Sequence, residues 1–279
     1  MLSMSKLLTI SLCLTSSLLA ASIDDKVIKF EKKVFSQDKR ITLQDVKIDF
    51  KKELPLKGWT GFVVKVTAEV NGKILSAKDT VFSNGTYVTK ELIDMKTGQN
   101  LKDMMVPKLT AKYHNKAKLI AGNHDAKNKV VVFSDPLCPF CIDYVPDVIK
   151  HVKRNPKDVA LYYYHFPLLR IHPAADTLTK LMDVAKHKGM KDVELKTYQT
   201  DWDKHFTAKT TDMKKIVDAF NKELKTKITL AEVKNAKILE EINKDVLMGE
   251  DVMVQGTPSV FVNGIKDNTR LKYETLGKN

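Results

Sequence analysis

A short apolar run followed directly by a helical pattern is the feature that most limits how this chain can fold. The run is VVVF at 130–133, and a second one, VALYYYHF, follows at 159–166. Apolar residues at helical spacing lie between them, which predicts a strand, a helix and a second strand. Further helices are expected at 173–188, 190–206, 211–224 and 229–248, and strand character returns at 252–264. This order indicates an α/β domain with a helical block inserted into a mixed sheet.

The first part of the chain has a different pattern. Apolar residues recur at helical spacing over 23–35, and alternating segments over about 40–95 predict a small antiparallel sheet. Asn71 and Gly72 lie between two of these segments, as in a two-residue hairpin. This region contains no Cys and no His, so it offers no recognisable catalytic cluster.

Residues 1–21 have the layout of a secretory signal peptide. Lys6 precedes an apolar run that ends near Leu19, and the small residues Ala20 and Ala21 follow. The run is shorter than the about 20 residues that span a bilayer. We therefore expect a cleaved signal and export; an uncleaved N-terminal anchor is the alternative.

The formal net charge of +13 raises the question of an anionic partner. Seven lysines and two aspartates lie at 102–129, a stretch that overlaps a linker helix expected at 99–121. Nucleic-acid surfaces usually interleave lysine with aromatic residues and carry arginine forks, and neither pattern accompanies these lysines. We interpret the stretch as a solvated helix rather than a basic binding surface, and we expect no nucleic-acid partner.

The chain has three cysteines, and Cys13 would leave with the signal peptide. The remaining pair, Cys138 and Cys141, closes too small a loop to stabilise the fold as a disulfide. A zinc site would need two more closely spaced ligands, which the scattered histidines do not provide, so no metal is expected. At a helix N-terminus the pKa of the Cys138 thiol should fall to about 3.5–7.5. Cys141 lies one turn deeper, so Cys138 is predicted to attack and Cys141 to resolve the mixed disulfide.

The run FSDPLCPFC, from Phe133 to Cys141, resembles the active-site strand and helix of thioredoxin-fold Dsb proteins. It is most similar to the periplasmic isomerases of the DsbC/DsbG type, in which F-x-D precedes C-P-x-C. Pro146 matches a proline in the active-site helix, and GTP at 256–258 matches the cis-proline loop. The segments HFPL at 165–168 and HPAA at 172–175 are similar to DsbA-type domains.

The resemblance implies an α+β fold in which a small cystatin-like antiparallel sheet domain and a linker helix precede a thioredoxin-like α/β domain with a helical insertion. The expected boundaries are a signal peptide at 1–21, an N-terminal dimerisation domain at 22–98, the linker helix at 99–121 and the redox domain at 122–279. The family arrangement also implies a homodimer.

The resemblance also implies roles for residues around the cysteine pair. Thr257 and Pro258 would face the disulfide and bind an unfolded substrate as an added strand. Pro139 and Phe140 would tune the pair, and Phe140 stands where DsbA has a histidine that stabilises the thiolate. Asp135 has two interpretations that stay open: it tunes a proton during thiol exchange, or it caps the turn before the helix.

The predicted function is that of a periplasmic thiol:disulfide oxidoreductase that needs no cofactor and works as an isomerase or reductase. Its partners would be unfolded or misoxidised exported proteins and a membrane redox partner of the DsbD or DsbB kind. Two alternatives remain: a DsbA-like oxidase recharged by a membrane partner, and a chaperone with secondary redox activity.

Overall fold

The computed structural model describes residues 21–70 and 72–277. The chain divides into two compact units after Leu92, whereas the sequence predicts a boundary at residue 98. The predicted signal peptide lies outside the described residues, apart from Ala21. Within the described ranges, no helix has both the length and the apolar character needed to cross a membrane.

The first unit is a helix and an antiparallel sheet, as the sequence predicts. Helix α1 begins after a capping box in which Ser22 and Asp25 satisfy each other's backbone N–H groups. The strands lie in the order β1-β2-β3-β4. The bounds are α1 Ile23–Phe35, β1 Ile41–Glu53, β2 Thr60–Val70, β3 Lys73–Ser83 and β4 Val88–Thr89.

The core of this unit lies between α1 and one face of the sheet. Val27 of α1 is fully buried, and alternate residues of β2 point towards it because successive strand side chains face opposite sides. The buried members of this core are Val27, Val46, Phe62, Val64, Val66 and Val81.

The predicted linker helix at 99–121 is wrong. Three short 3-10 helices replace it, at Leu101–Met105, Ala111–Tyr113 and Lys116–Lys118, and strand β5 then runs over Leu119–Gly122. Pro107 explains the first break, because a residue before proline avoids helical angles, and Val106 is extended at φ −72° and ψ 123°. The Asn115 side chain accepts the Ala117 N–H and so starts a new turn.

The second unit contains a five-stranded sheet in the order β5-β7-β6-β8-β9. Strands β6 and β7 are parallel, and helix α2 connects them, which confirms the predicted strand–helix–strand unit. The remaining pairs are antiparallel. The bounds are β6 Asn128–Ser134, α2 Pro139–Arg154, β7 Val159–His165, β8 Ser259–Val262 and β9 Ile265–Lys266.

A block of helices lies between β7 and β8, as predicted, but its divisions differ. Of the helix expected at 190–206, only Val193–Gln199 is α-helical, and a short 3-10 helix follows at Trp202–Lys204. The helix expected at 229–248 is two helices. The Thr229–Glu232 capping box opens only the first of these, because the Asn235 side chain accepts the Lys237 N–H and starts a second helix. The bounds are α3 Ala174–His187, α4 Val193–Gln199, α5 Met213–Leu224, α6 Leu230–Val233 and α7 Ala236–Asp251.

The two faces of the central strands pack into different cores. Val132 and Tyr163 face α2 and the inserted helices, while Phe133 and Tyr164 pack on the other side of the sheet. These strands are buried on both faces, which explains their continuous apolar runs. The predicted α+β fold is confirmed, and the cysteine pair lies where β6 ends and α2 begins.

Candidate active site

The two cysteines lie on the first turn of α2. Cys138 is the residue before the helix, and Pro139 is its first member. Proline favours this position because its fixed φ suits a helix and its missing N–H would have no partner there. The Cys138 carbonyl accepts the N–H groups of Cys141 at 2.9 Å and Ile142 at 3.0 Å. The strand and the proline together therefore place the Cys138 sulfur at the positive end of the helix.

Both cysteines are reduced, and they differ in exposure. Cys138 is 5 % exposed, and Cys141 is completely buried. Cys138 therefore keeps a small exposed area from which another protein can approach, whereas Cys141 has none. This is the geometry expected for an attacking and a resolving cysteine.

The pKa of Cys138 lies well below its ordinary range. The largest cause is a hydrogen bond from the Cys141 thiol, and the Thr257 hydroxyl and the backbone N–H groups of Cys141 and Phe140 also contribute. Burial opposes these donors, and the net effect lowers the pKa to about 5. Cys138 is therefore a thiolate at neutral pH, the form that attacks disulfides.

The pKa of Cys141 moves in the opposite direction. Burial raises it far above the ordinary range, and the neighbouring Cys138 adds to the effect. Cys141 thus remains a protonated donor to the Cys138 sulfur.

The sequence predicts a lowered pKa for Cys138, and the structure agrees with that direction but gives a different main cause. The sequence attributes the shift to the helix N-terminus. In the folded chain, the side chains of Cys141 and Thr257 each lower the pKa of Cys138 more than the helix N–H groups do.

Thr257 and Pro258 lie beside Cys138, and the peptide bond between them is cis. In its thiol form, the Cys138 sulfur donates to the Thr257 carbonyl at 3.3 Å. Within the described part of the chain, the buried Thr257 hydroxyl has no hydrogen-bond partner, and its proximity lowers the pKa of Cys138. The carbonyl therefore faces the sulfur rather than turning away from it, and the binding of substrate by Thr257 and Pro258 stays a prediction.

Asp135 is completely buried just after β6. Its carboxylate accepts the N–H of Leu137 at 2.8 Å, the N–H of Leu168 at 2.8 Å and Nδ1 of His172 at 2.9 Å. These contacts join the turn before Cys138 to the loop after β7. They are what the capping interpretation requires, and a role in proton tuning stays a prediction.

The side chain of Phe140 points into solvent and is 67 % exposed. The Arg270 guanidinium lies 5.9 Å from the centre of its ring, within the range of a cation–π contact. Phe140 therefore acts on Cys138 through its backbone N–H, and its ring is left for contacts with other molecules. The sequence offered no local signal for Arg270, which lies far along the chain.

A groove of about 500 Å³ adjoins the cysteine pair. Pro139 and Ile142 of α2 form one side, and Tyr198 and Trp202 of the helical insertion form the other. Ile142 is partly exposed, as are Leu169 and Ile171 on the loop that Asp135 holds. Exposed apolar side chains thus lie on α2 next to Cys138 and on the loop joined to the turn before it.

Three hydroxyl groups that the sequence analysis did not single out lie behind Cys141. They belong to Ser134, Tyr163 and Tyr198, which come from β6, β7 and α4. No spacing pattern links these residues, because strand pairing and helix packing bring them together.

A second group of titratable side chains lies in the helical insertion. The ligand-type atoms of Asp183, His187 and Glu241 lie within 4.8 Å of one another. His187 Nε2 lies 3.1 Å from a Glu241 oxygen, and Lys118 faces the Asp183 carboxylate. The expectation of no metal stays a prediction.

The family model described as Thioredoxin matches residues 114–279, more than half of the chain. The chain belongs to this thioredoxin family. The match includes the cysteine pair, the cis-proline loop and the helical insertion.

Similar proteins fall into two groups. The Na⁺/H⁺ antiporters NhaA 1 of Mycolicibacterium vanbaalenii and Mycolicibacterium gilvum are 28 % and 29 % identical, over 53 % and 52 % of this chain. The matched part is 23 % of each antiporter, so the chain spans about a quarter of the length of these curated relatives.

Solved structures give the second group. ScsC of Proteus mirabilis is 20 % identical, with 59 % of this chain and 72 % of that chain covered and a TM-score of 0.45. DsbA2 of Pseudomonas aeruginosa is 19 % identical, with 56 % and 90 % covered and a TM-score of 0.42. A periplasmic thioredoxin-like protein of Salmonella enterica serovar Typhimurium is 25 % identical, with 55 % and 82 % covered and a TM-score of 0.42.

The Thr257 hydroxyl leads to a prediction about the thiolate. Thr257→Val removes the hydroxyl at nearly constant shape, so the pKa of Cys138 should rise above its present value of about 5. The pH dependence of thiolate absorbance and of alkylation rate should both shift to higher pH. Thr275→Val is the control, because that hydroxyl is exposed and bonds to the Lys272 carbonyl. An unchanged midpoint in Thr257→Val would contradict the assignment.

Proposed function

We propose that the protein is a thiol–disulfide oxidoreductase in which Cys138 attacks and Cys141 resolves. The observation that carries this proposal is the opposite behaviour of two sulfurs one helical turn apart. The pKa of Cys138 is lowered to about 5 and the residue keeps a small exposed area, whereas burial keeps Cys141 protonated and inaccessible. Such an arrangement supplies one nucleophile to an outside disulfide and one to the bond that results.

The reaction begins when the Cys138 thiolate attacks one sulfur of a client disulfide. That S–S bond breaks, a mixed disulfide forms, and the second client sulfur leaves as a thiolate. In isomerisation, a different client thiolate attacks the client sulfur of the mixed disulfide, which forms a new disulfide within the client and releases Cys138 as a thiolate. In reduction, Cys141 attacks Cys138, the client leaves with both sulfurs reduced, and a Cys138–Cys141 disulfide remains.

We propose that isomerisation or reduction is the working direction. A more stable thiolate makes a stronger oxidant, and the pKa of about 5 lies between the roughly 7 of thioredoxin and 3.5 of DsbA. The potential should then lie between about −270 and −120 mV. Phe140 supports this direction, because its side chain offers no donor to the sulfur.

The surface around Cys138 suits an unfolded client. Phe140, Leu169 and Ile171 are all exposed, although large apolar side chains are usually buried. Together with the groove beside Pro139, they offer apolar contacts to a chain whose core is not yet formed. The clients we propose are unfolded or misoxidised exported proteins.

The signal-like residues 1–21 support a periplasmic location, where a membrane partner would keep the cysteine pair reduced. A DsbD-like partner fits an isomerase or reductase, and a DsbB-like partner fits an oxidase. A chaperone role draws on the same exposed apolar surface, and it would survive replacement of both cysteines.

We also propose that the first unit forms a homodimer. Among the described residues, β4 pairs with β3 only through Phe82 and Ser83, so residues 74–81 have no strand on their outer side. Ile74 and Leu75 on this strand are exposed. Open strand edges readily pair with a second chain.

Trapping tests the roles of the two cysteines. Cys141→Ala should accumulate mixed disulfides between Cys138 and clients, because the resolving thiol is missing, while Cys138→Ser should form none. Both variants are expressed without residues 1–21, so Cys13 does not interfere, and adducts are read on non-reducing gels. Equal trapping by the two variants would refute the assignment.

The direction of electron flow is tested by equilibrating the Cys138–Cys141 pair with glutathione. We expect a potential less oxidising than about −120 mV and reactivation of scrambled ribonuclease. The variant lacking both cysteines is the control for chaperone effects. A DsbA-like potential together with no reactivation would favour the oxidase.

Assembly is tested by light scattering of the protein without residues 1–21 at micromolar concentration. Pairing through β3 should give twice the mass of one chain. The second unit alone, from residue 93 onward, should be a monomer if it folds. A monomer mass for the two-unit protein would exclude the dimer.

A further inference from the structure

To resolve the mixed disulfide, Cys141 must become a thiolate, and the two cysteines alone do not stabilise that charge. Cys141 is completely buried in the core shared by α2 and the inserted helices. Burial raises its pKa, so the thiolate that must attack Cys138 forms in an unfavourable environment. Once Cys138 is bonded to a client, its sulfur is no longer a thiolate that accepts a hydrogen bond from Cys141. Some other group has to stabilise the developing charge on Cys141.

A chain of hydroxyl groups leads away from the Cys141 sulfur. The Ser134 hydroxyl, at the end of β6 beside the start of α2, is close enough to the Cys141 thiol to lower its pKa. Ser134 Oγ lies 2.7 Å from the Tyr198 hydroxyl, and the Tyr198 hydroxyl lies 2.8 Å from that of Tyr163. All three residues are buried, so water does not compete for these bonds.

The fold brings the three hydroxyls together from separate elements. Ser134 ends β6, and its register partner on β7 is His165, so Tyr163 projects from the same face of the sheet two residues earlier. Tyr198 comes from α4, which packs against α2. The helical insertion therefore supplies the middle link of the chain.

The three hydroxyl groups can reorient so that each donates its proton toward Cys141 when that residue becomes charged. Each hydroxyl has one proton to donate and can accept as well. When Cys141 becomes a thiolate, Tyr163 can donate to Tyr198, Tyr198 to Ser134, and Ser134 to the sulfur. Burial raises the pKa of both tyrosines well above their ordinary range, so they stay protonated and act as donors rather than bases. Aligned donors in a dry interior reinforce one another.

We propose that Ser134 and Tyr198 are positioning residues for the resolving step, aligning hydroxyl donors on the Cys141 sulfur as it attacks Cys138. The proposal rests on the thiol–disulfide exchange proposed above. In this step the Cys141–Cys138 bond forms and the Cys138–client bond breaks. The proton of Cys141 is balanced by protonation of the departing client sulfur, and no outside oxidant or reductant is used.

Tyr198→Phe is the main test, because it removes one hydroxyl from the middle of the chain and leaves the ring in place. A preformed mixed disulfide between Cys138 and a small client protein is allowed to resolve in a single turnover. We expect resolution to slow about tenfold, as for the loss of a hydrogen bond that supports a charged group. The pH at which resolution accelerates should also rise. Alkylation of Cys138 in the free protein should keep its wild-type rate.

Tyr164→Phe is the matched control. Tyr164 lies on the same strand as Tyr163, and its buried hydroxyl donates to the Tyr113 carbonyl at 3.0 Å on the opposite face of the sheet. This variant should resolve the mixed disulfide at the wild-type rate. Tyr163→Phe removes the far end of the chain and should give a smaller slowing than Tyr198→Phe.

The outcomes separate this proposal from the proposed function. Failure of the wild-type protein to form a mixed disulfide would overturn the proposed function itself. Normal resolution in Tyr198→Phe, or equal slowing in Tyr164→Phe, would overturn the hydroxyl chain while leaving the exchange reaction intact. Should Tyr198→Phe fail to fold, the comparison of Tyr163→Phe with Tyr164→Phe decides the question in the same way.

Discussion

The hydrogen bond from the Cys141 thiol to the Cys138 sulfur is the interaction on which the site depends. It exists because burial keeps Cys141 protonated while donors around Cys138 favour its thiolate. Both conditions come from the packing of α2: Cys138, the residue before the helix, keeps a small exposed area, and Cys141, the third residue of the helix, lies inside the core. The core of the second unit thus does more than stabilise the fold, because it creates the difference in acidity between two chemically identical side chains.

The surrounding segments hold that arrangement in place by satisfied polar contacts. The buried Asp135 carboxylate joins the turn before Cys138 to the loop after β7, and Thr257 closes the opposite side. A buried carboxylate without these three partners would be costly, so the two segments are fixed together. The exposed side chains of Leu169 and Ile171 therefore lie on a loop that is joined to the turn before Cys138.

Much of the fold and site could be predicted where the signal was local. The run VVVF, the C-P-F-C spacing and the Thr229–Glu232 capping box each lie within a few residues, and the structure contains the strand, helix start and cap that they predict. The prediction of a linker helix at 99–121 was wrong, although the apolar residues there have helical spacing. Pro107 and Asn115 interrupt it, since backbone restrictions and side-chain caps override periodicity.

The sequence by itself determined the chemistry that is present: two cysteines three positions apart at a helix start, with Cys138 first and Cys141 one turn later. Only the tertiary structure decided which groups act on them. Thr257 reaches Cys138, and Ser134 and Tyr198 line up behind Cys141, through a cis-proline loop, a strand end and an inserted helix that are far apart along the chain. Hydrogen bonds act over about 3 Å, and closeness on that scale between distant residues arises only when the whole domain packs.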